Sequence, residues 1–341
     1  MLTVQIRTVD VFDDAALAEW HASTESTIRH DREDPVYWTL RELTLALRDP
    51  NAPRRTVLLA AHDGGSVFGT GSLSLPLKDN RTLCDIDVQV EPRHRRHGIG
   101  RALFDRLRTA AVDDGRTSVI TAVIGPYEGT PRPPGVPFAE SFGLTFRNEE
   151  VRRRVKLPIP PDHLQELLDS TAGHRTGYRL EHWEGPCPDD YVEQYAALIP
   201  QLSTEAPTGD LEFEPEQYDV ARLRNDEALC AAMGLRVFTT IALTDDGAIV
   251  GHTQLSVPSP ADEPEKAHQW ATLVLREHRG HRLGVALKAQ NHLAAQLAIP
   301  DLDRTMHTWN ARQNPWMISV NEALGYRPVD TLMEYQGDLK V

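Results

Sequence analysis

The stretch VQVEPRHRRHGIGRAL, residues 88–103, ends a predicted β-strand in a basic, glycine-containing turn that opens directly into a helix. A second stretch, TLVLREHRGHRLGVAL at 272–287, aligns with it without gaps at an offset of 184 residues. Seven positions are identical, among them the pair Gly100 and Gly284. Because this offset is about half the chain, the repeat indicates a duplicated domain and not a short-period solenoid.

The two stretches also have matching surroundings. Residues 56–75 and 237–257 each read as strand, Asp-Gly turn and strand. An amphipathic helix follows each stretch, and a further strand is predicted after it, at 118–124 and 303–309. Each half opens with a strand and helices, the strands lying at 4–8 and 178–182. This order predicts an α/β (α+β) fold in each half, with a mixed central sheet flanked by helices.

The length and one proline-rich segment set the expected division of the chain. A chain of 341 residues exceeds one ordinary hydrophobic core and suits two domains. The segment VKLPIPPDHLQ at 155–165 is typical of a linker. We therefore predict an N-terminal domain at 1–157, a linker at 158–174 and a C-terminal domain at 175–341.

Composition excludes several classes of protein. The formal net charge of −14 argues against a nucleic-acid binder, because phosphate neutralisation requires a basic surface. An acidic protein also favours a cationic small substrate through its field. No apolar run reaches the roughly 18 residues that a membrane span needs, and residues 1–14 do not resemble a secretory signal.

The three cysteines, Cys84, Cys187 and Cys230, are scattered along the chain. They form neither a disulfide framework nor a metal-ligand spacing, so we expect no bound metal and a cytoplasmic location.

The turn itself has the chemistry of an anion site. A strand–turn–helix junction directs backbone N–H groups toward one point at the positive end of the helix dipole. Glycines permit close approach of a phosphate, and arginines add charge-assisted hydrogen bonds. Arg95–Gly100 and Arg279–Gly284 both have this form, and the expected ligand is a pyrophosphate.

This pattern resembles the (Gln/Arg)-x-x-Gly-x-(Gly/Ala) signature of the GNAT acetyltransferases, which grips the pyrophosphate of acetyl-CoA. Residues 308–328, TWNARQNPWMISVNEALGYRP, are similar to the usual ending of that fold. The whole chain looks like the tandem GNAT proteins of actinobacteria, a group that includes mycothiol synthase. The resemblance implies two GNAT domains, each with a mostly antiparallel sheet, and acetyl-CoA as cofactor.

The resemblance also implies which residues contact the cofactor. The expected set in the second half is Leu273, Val274, Leu275, Arg279, Gly280, His281, Arg282, Leu283, Gly284, Val285, Asn310 and Asn314. The expected set in the first half is Val88, Val90, Arg95, Arg96, His97, Gly98, Ile99, Gly100 and Arg101.

The two halves differ in ways that bear on catalysis. The first has glycine at both Gly98 and Gly100, whereas Arg282 stands at the first of these positions in the second half, where we expect an ordinary φ. The second half has Asn310 and Asn314 after its fifth strand, where GNAT enzymes often place an asparagine. The same segment of the first half is interrupted by prolines, which cannot sit inside a helix. We therefore predict that the second half is catalytic and the first structural or cofactor-holding.

Acetyl transfer to an amine requires a general base, a donor to the thioester carbonyl and a route to protonate the thiolate. His268 lies near the position of a glutamate base in related proteins, and Gln269 follows it as a candidate substrate contact. Glu205 and Asp210, in a polar loop where GNAT enzymes place an acceptor lid, are a second candidate base and a substrate contact. Asn321 stands where the family places an acid tyrosine, and we count it among the catalytic candidates. Either Asn321 orients a water, another group such as Tyr326 or Tyr335 protonates the thiolate, or the thiolate leaves unassisted.

The leading hypothesis is a bacterial N-acetyltransferase that acts on a small cationic amine, such as an antibiotic, an amino sugar or a biosynthetic intermediate. A mycothiol synthase-like acetyltransferase is one alternative. A non-catalytic acyl-CoA-binding or sensor protein is another, because the tyrosine is missing. We expect a monomer or homodimer, with neither nucleic acid nor membrane as partner.

Overall fold

The computed structural model describes residues 4–32, 34–63, 65–128, 132–259 and 266–339. Within these ranges the first half comprises β1 (Gln5–Val9), α1 (Asp14–Asp31), α2 (Leu40–Arg48), β2 (Arg54–His62), β3 (Val67–Pro76), β4 (Leu83–Val90), α3 (Ile99–Asp113), β5 (Ser118–Pro126), α4 (Gly135–Glu140) and β6 (Thr145–Lys156). The second half comprises α5 (Pro161–Ala172), β7 (Tyr178–Glu184), α6 (Val192–Leu198), α7 (Leu202–Glu205), α8 (Val220–Ala232), β8 (Leu235–Thr244), β9 (Ile249–Pro258), β10 (Lys266–Val274), α9 (Leu283–Ala298), β11 (Thr305–Ala311), α10 (Pro315–Ala323) and β12 (Arg327–Asp338).

Local signals begin several helices. Asp13 caps α1 by accepting a hydrogen bond from the backbone N–H of Ala15. Thr39 and Glu42 form a reciprocal capping box at the start of α2. Pro161 occupies the first position of α5, where a missing N–H costs the helix nothing.

Twelve strands from the described residues form one sheet, in the order β1-β2-β3-β4-β5-β12-β6-β11-β10-β9-β8-β7. Neighbouring strands are antiparallel except in the pairs β4–β5 and β10–β11, which are parallel. The predicted fold class, a mixed and mostly antiparallel sheet flanked by helices, is therefore confirmed.

The last strand of each half lies within the sheet of the other half. β6 pairs with β11 over residues 150–156, and β12 pairs with β5 over residues 330–338. β6 and β12 also pair with each other at the centre of the sheet. This exchange covers the edges that β5 and β11 would otherwise expose. The sequence analysis did not predict it.

The segment 158–174, interpreted above as a linker, contains a packed helix. Leu164 and Leu168 of α5 are buried in one core cluster with Ala289 and Ala295 of α9. The division of the chain at residues 157 and 175 stays a prediction, because the sheet runs through both halves without a break.

Helices cover both faces of the sheet. The back face packs against α3 in the first half and against α5 and α9 in the second. The front face packs against α1 in the first half and against α6 and α8 in the second. Side chains alternate between the two faces along a strand. The face of any strand residue can therefore be assigned from a neighbour on the same strand that belongs to one of these cores. No helix in the described part of the chain is long and apolar enough to cross a membrane.

Candidate acyl-CoA sites and acceptor clefts

The N-termini of α3 and α9 present unpaired backbone donors. Gly98 and Arg282 are their N-caps, and neither helix has a side-chain cap. The first bonds within these helices run from Ala102 N to Gly98 O and from Ala286 N to Arg282 O. The N–H groups of residues 99–101 and 283–285 therefore have no partner within their helix. Each of these two N-termini therefore suits the pyrophosphate of one coenzyme A molecule.

Each turn contains two residues in the left-handed region. In the first turn these are Arg96, with φ 65°, and Gly98, with φ 82°. In the second they are Gly280, with φ 90°, and Arg282, with φ 54°. The expectation of an ordinary φ at Arg282 was therefore wrong. The two turns therefore follow the same backbone path. In each turn one left-handed position is a glycine and the other is an arginine, and the left-handed conformation of the arginine costs about 1–2 kcal/mol.

The first arginine of each motif anchors its turn. Arg95 Nε donates to the carbonyl of Val90 at 2.8 Å, and Arg279 Nε donates to that of Val274 at 3.1 Å. Each guanidinium also binds a carboxylate at the end of a helix. Arg95 Nη1 lies 3.0 Å from Asp31 Oδ1, and Arg279 Nη2 lies 2.6 Å from Glu205 Oε2.

The carboxylate of Glu205, a candidate base, is therefore held by Arg279. A second cation, Arg276, approaches it at 3.7 Å. The contacts that the structure gives Glu205 position the turn, and its role in proton transfer stays a prediction.

The second glycine of each motif lies against the next helix along the chain. A Cβ placed on Gly100 would lie 3.3 Å from the ring of Phe138, and one on Gly284 would lie 3.4 Å from Val320. In both halves the following helix thus closes onto the start of α3 or α9.

The other turn residues contact neighbouring structure. Arg101 Nη2 lies 3.3 Å from Ser141 Oγ, and its guanidinium stacks on the ring of Phe142 at 4.7 Å. His97 Nδ1 lies 2.7 Å from the carbonyl of Arg95, and His281 Nδ1 lies 3.0 Å from that of His174.

A β-bulge distinguishes β10 from β4. Along β10, Gln269 pairs with Leu255 and Thr272 with Thr253, so three steps on β10 match two steps on β9. Between β4 and β3 the register is regular from Asp85 to Val90. The bulge therefore adds one residue to the strand that leads into the second turn.

Side chains on the back face stabilise the bulge. Gln269 Nε2 donates to Gln254 O at 2.7 Å and to Thr253 Oγ1 at 3.1 Å. The hydroxyls of Thr253 and Thr272 lie 2.8 Å apart. Gln269 is 2% exposed, and its Oε1 is buried without a hydrogen-bond partner. The bonds of Gln269 fix backbone geometry, and its contact with substrate stays a prediction.

Each parallel strand pair diverges into a cleft. β4 and β5 pair only over residues 83–85 and 118–120, and β10 and β11 pair only over 266–268 and 305–307. Beyond these residues one edge of β4 and one edge of β10 no longer bond to the neighbouring strand. Val88, Val90, Leu273 and Val274, which are among the predicted cofactor contacts, lie on these stretches, and Leu275 follows directly.

The last paired residue on the front face is Asp85 in the first half and His268 in the second. Gapless alignment places Cys84 opposite His268, but the bulge adds one residue to β10, so Asp85 is the structural counterpart. The His268 ring is stacked with Trp309, with centroids 6.3 Å apart and planes 15° apart. Burial, aided by the Lys266 cation, lowers the pKa of His268 to about 4. This value lies well below the ordinary one on which the sequence argument relied.

Asp85 is one of four neighbouring carboxylates on the front face of the first half, with Asp87, Glu150 and Glu334. Desolvation, aided by the carboxylates Asp87 and Glu334, raises the pKa of Asp85 to about 6. Desolvation and Glu334 likewise raise the pKa of Glu150 to about 7. Since Glu150 lies on β6 and Glu334 on β12, the strand exchange builds this acidic surface.

A buried polar network occupies the back face of the second half. Lys288 Nζ donates to Asn321 Oδ1 at 2.5 Å, and Asn321 Nδ2 donates to Asn310 Oδ1 at 3.0 Å. Burial lowers the pKa of Lys288 to about 7. Asn314, by contrast, caps α10, because its Oδ1 accepts from Met317 N at 3.1 Å.

Asp210 lies away from this network, in the loop between α7 and α8. Its backbone N–H donates to the carbonyl of Arg147 at 2.9 Å, so the loop runs along β6. Its contact with substrate stays a prediction.

Sequence reasoning missed Lys288, Asp85 and the bulge. Lys288, Asn291 and His292 recur at helical spacing within an Ala- and Leu-rich helix, which was a readable sign of a polar stripe on the buried face. The bulge leaves a weaker sign in the sequence. The two halves align at an offset of 184 residues after the bulge, but Asp85 and His268 correspond before it, at an offset one residue smaller.

These features define a class of protein that the comparisons identify. Residues 15–129 match the model of the acetyltransferase (GNAT) family. The first half therefore carries a GNAT acetyltransferase domain, and it is the half in which we predicted no catalysis. No curated protein matches the chain.

Solved structures extend the likeness to the whole chain. A tandem GNAT protein from the clavulanic acid biosynthesis pathway is 26% identical, with 99% of both chains covered and a TM-score of 0.78. A GCN5-related N-acetyltransferase from Sphaerobacter thermophilus is 13% identical, with 99% of this chain and 96% of that chain covered and a TM-score of 0.64. N-myristoyltransferase of Saccharomyces cerevisiae shares the fold at 10% identity, with 98% and 80% covered and a TM-score of 0.58. Residues 15–129 thus match a GNAT acetyltransferase domain, the whole chain is similar in fold to a tandem GNAT protein, and both matches indicate an N-acyltransferase.

Proposed function

We propose that the protein is an acetyl-CoA-dependent N-acetyltransferase that acetylates the amine of a small cationic molecule, with transfer in the second half. The observation that carries this assignment is the bulge between Gln269 and Thr272, which the regular β4 lacks. A bulge at the mouth of a strand cleft turns backbone donors away from the ladder, where they can stabilise a developing oxyanion.

The residues of the second half have distinct tasks in this proposal. The N–H groups of residues 283–285 and the Arg279 turn hold the pyrophosphate, and the free edge of β10 binds the pantetheine arm. Acetyl-CoA, when bound, supplies the acetyl group as an activated thioester. The Asn310–Asn321–Lys288 network holds donors close to the position where the family uses a tyrosine.

His268 faces the acceptor side of the cleft. With a pKa of about 4 it is neutral at pH 7, so its ring can accept a hydrogen bond from an incoming amine and orient it. Its weak basicity favours loss of the ammonium proton to water before the attack.

The proposal that the acceptor is cationic is based on the net charge of the protein. The protein carries a net −14, which concentrates cations at its surface. We also place the protein in a bacterial cytoplasm, a proposal that its three free cysteines support.

One observation favours a second candidate, transfer in the first half. Asp85 occupies the position of His268 with a pKa of about 6, which suits a general base near neutral pH. The GNAT family model also matches this half.

Acetyl-CoA titration tests the proposed function. Saturating acetyl-CoA at about 100 times its Kd should stabilise the protein by about 2.7 kcal/mol in thermal unfolding. A panel of primary amines should then give thiol release from acetyl-CoA with at least one member. Absence of both effects contradicts the proposal, whereas protection without thiol release favours a binding protein.

A further inference from the structure

Residues 34–37, between α1 and α2, pack across the exchanged strand β6 onto β10 of the second half. Lys266 Nζ donates to the carbonyl of Pro35 at 2.5 Å and lies 4.6 Å from the ring centroid of Tyr37. Arg152 Nη1 donates to the carbonyl of Asp34 at 2.8 Å, and Arg154 Nη1 lies 2.6 Å from Asp34 Oδ2. Two carbonyls and one carboxylate of the first half thus engage three cations.

These three cations surround the acceptor side of the second cleft. Lys266 precedes His268 by two residues on β10, so both side chains lie on the front face. Arg154 pairs with His307, the partner of His268 across the parallel strands. Arg152 Nη1 lies 3.4 Å from His307 Nδ1.

The reverse crossing repeats this arrangement on the first half. The loop between α7 and α8 binds Asn80, whose Nδ2 donates to Glu214 O and whose backbone N–H donates to Glu214 Oε2, both at 2.9 Å. It also binds Gln336, which accepts from Glu212 N at 2.8 Å. Gln336 pairs with Ile120 at the end of the first parallel pair, as Arg154 pairs with His307 in the second.

Charge gives the first-half loop a chemical task. Without Asp34, Arg154 would present a positive group beside His307 and His268 and would repel an ammonium ion. Arg152 already has a counter-ion, because Asp330 binds it through bonds of 2.8 and 2.7 Å. The carboxylate of Asp34 neutralises Arg154, and the oxygen of Pro35 and the ring of Tyr37 screen Lys266.

We propose that each acceptor cleft is completed by the loop of the opposite half, and that residues 34–37 determine the preference of the second half for cationic amines. This inference rests on the proposed function for its reaction. It gives the first half a part in substrate selection that is separate from coenzyme binding.

Asp34→Asn tests the proposal with little change of shape, since Asn tolerates the φ of 51° at this position. The probes are 1,5-diaminopentane, a dication, and para-methoxyaniline, whose amine is uncharged at about pH 7.5. We expect the KM for diaminopentane to rise about fivefold or more, while the KM values for para-methoxyaniline and for acetyl-CoA stay within about twofold.

The matched control is Glu214→Gln, which makes the same change of net charge in the reverse crossing. It should leave all three KM values within about twofold, which separates a local effect from the field of the whole protein. Unchanged amine preference in both variants overturns the proposal. If only Glu214→Gln changes the amine preference, the opposite half's loop does complete the acceptor cleft, but the reaction takes place in the first half. That result overturns the assignment of transfer to the second half.

Absence of turnover with either amine counts against the proposed function and not against the loop. In that case calorimetric titration of diaminopentane into the same two variants decides. Weaker binding to Asp34→Asn than to Glu214→Gln supports the composite cleft, and equal binding overturns it.

Discussion

β4 and β10 occupy equivalent places in the sheet, yet only β10 contains a bulge. β4 runs regularly past its parallel partner and presents Asp85 to the front face, whereas β10 presents His268 beside Trp309. The first half thus has an acidic cleft beside a regular hydrogen-bond ladder between β3 and β4. The second half has an aromatic cleft beside a ladder between β9 and β10 that a bulge interrupts. The comparison teaches that the glycine- and arginine-containing turn is shared by both halves, while the strand that leads into it differs in register and in its front-face side chain.

The back faces diverge in the same direction. Lys288 and Asn321 belong to a polar network in the second half. Their counterparts by alignment are Phe104 and Ala139, and Phe104 stacks on Phe142 with centroids 4.0 Å apart. The first half has therefore filled with aromatic packing the region where the second half holds hydrogen-bonding groups.

The largest effect is expected when an anion is placed at a phosphate turn. Gly284→Glu should lower turnover by about 100-fold or more, because a carboxylate repels the pyrophosphate at the N-terminus of α9. Gly100→Glu, the matched change in the first half, should leave turnover within about threefold. Turnover with each amine, with thermal unfolding as a check on folding, measures this. The reverse ranking would assign the reaction to the first half.

A smaller effect is expected from loosening the bulge. Gln269→Leu removes the side chain that binds Gln254 O and Thr253, so kcat should fall about 10- to 100-fold. The KM for acetyl-CoA should change little, because the turn at 279–284 is intact. Gln89→Leu on the regular β4 is the control and should leave kcat within about twofold. Equal kcat in the two variants would contradict a catalytic bulge.

The polar network gives a pH-dependent difference in stability. Lys288 is neutral in the folded protein above its pKa of about 7 and protonated in the unfolded chain up to about 10.5. The unfolded state therefore binds more protons, and this residue makes stability rise by about 2 kcal/mol between pH 7 and 9. Lys288→Met should lose that slope. Denaturant unfolding of both proteins across this range measures it, and equal slopes would contradict the assignment.

The smallest effect is expected at Asp85. Its folded pKa of about 6 lies above the unfolded value, so the ionised side chain destabilises the protein above about pH 6 and the penalty disappears as pH falls. Asp85→Asn should therefore raise the Tm slightly at pH 7.5 and leave it unchanged near pH 4. A fall in Tm at pH 7.5 would indicate that the carboxylate is stabilised by a contact in the cleft.

Much of the framework could be predicted from local patterns. The repeated strand–turn–helix motif predicted both uncapped N-termini, because glycine and arginine spacing reports on backbone path. The order of strands and helices predicted the mixed sheet, because periodicity reports on local structure. These signals lie within a few residues of the features they predict.

Other features depend on distant parts of the chain and left little local trace. The exchange of β6 and β12 depends on which strand each pairs with, and strands of similar composition give no local signal of their partner. The left-handed φ of Arg282 follows from the path of a whole turn, which overrides a preference of about 1–2 kcal/mol. The ion pair of Glu205 with Arg279 needed the fold of the lid, which no spacing in the sequence revealed.

The exchange of the last strands also sets an order of events during synthesis. β5 ends at residue 126, but the strand that covers its edge, β12, ends at residue 338. At ribosomal speed the edge of β5 waits on the order of 10–40 s for its partner. The N-terminal half therefore reaches its final sheet only after β12 has been made, and a nascent chain of this kind needs shielding meanwhile. A stop codon at the start of β12 would remove structural support from the half that was made first.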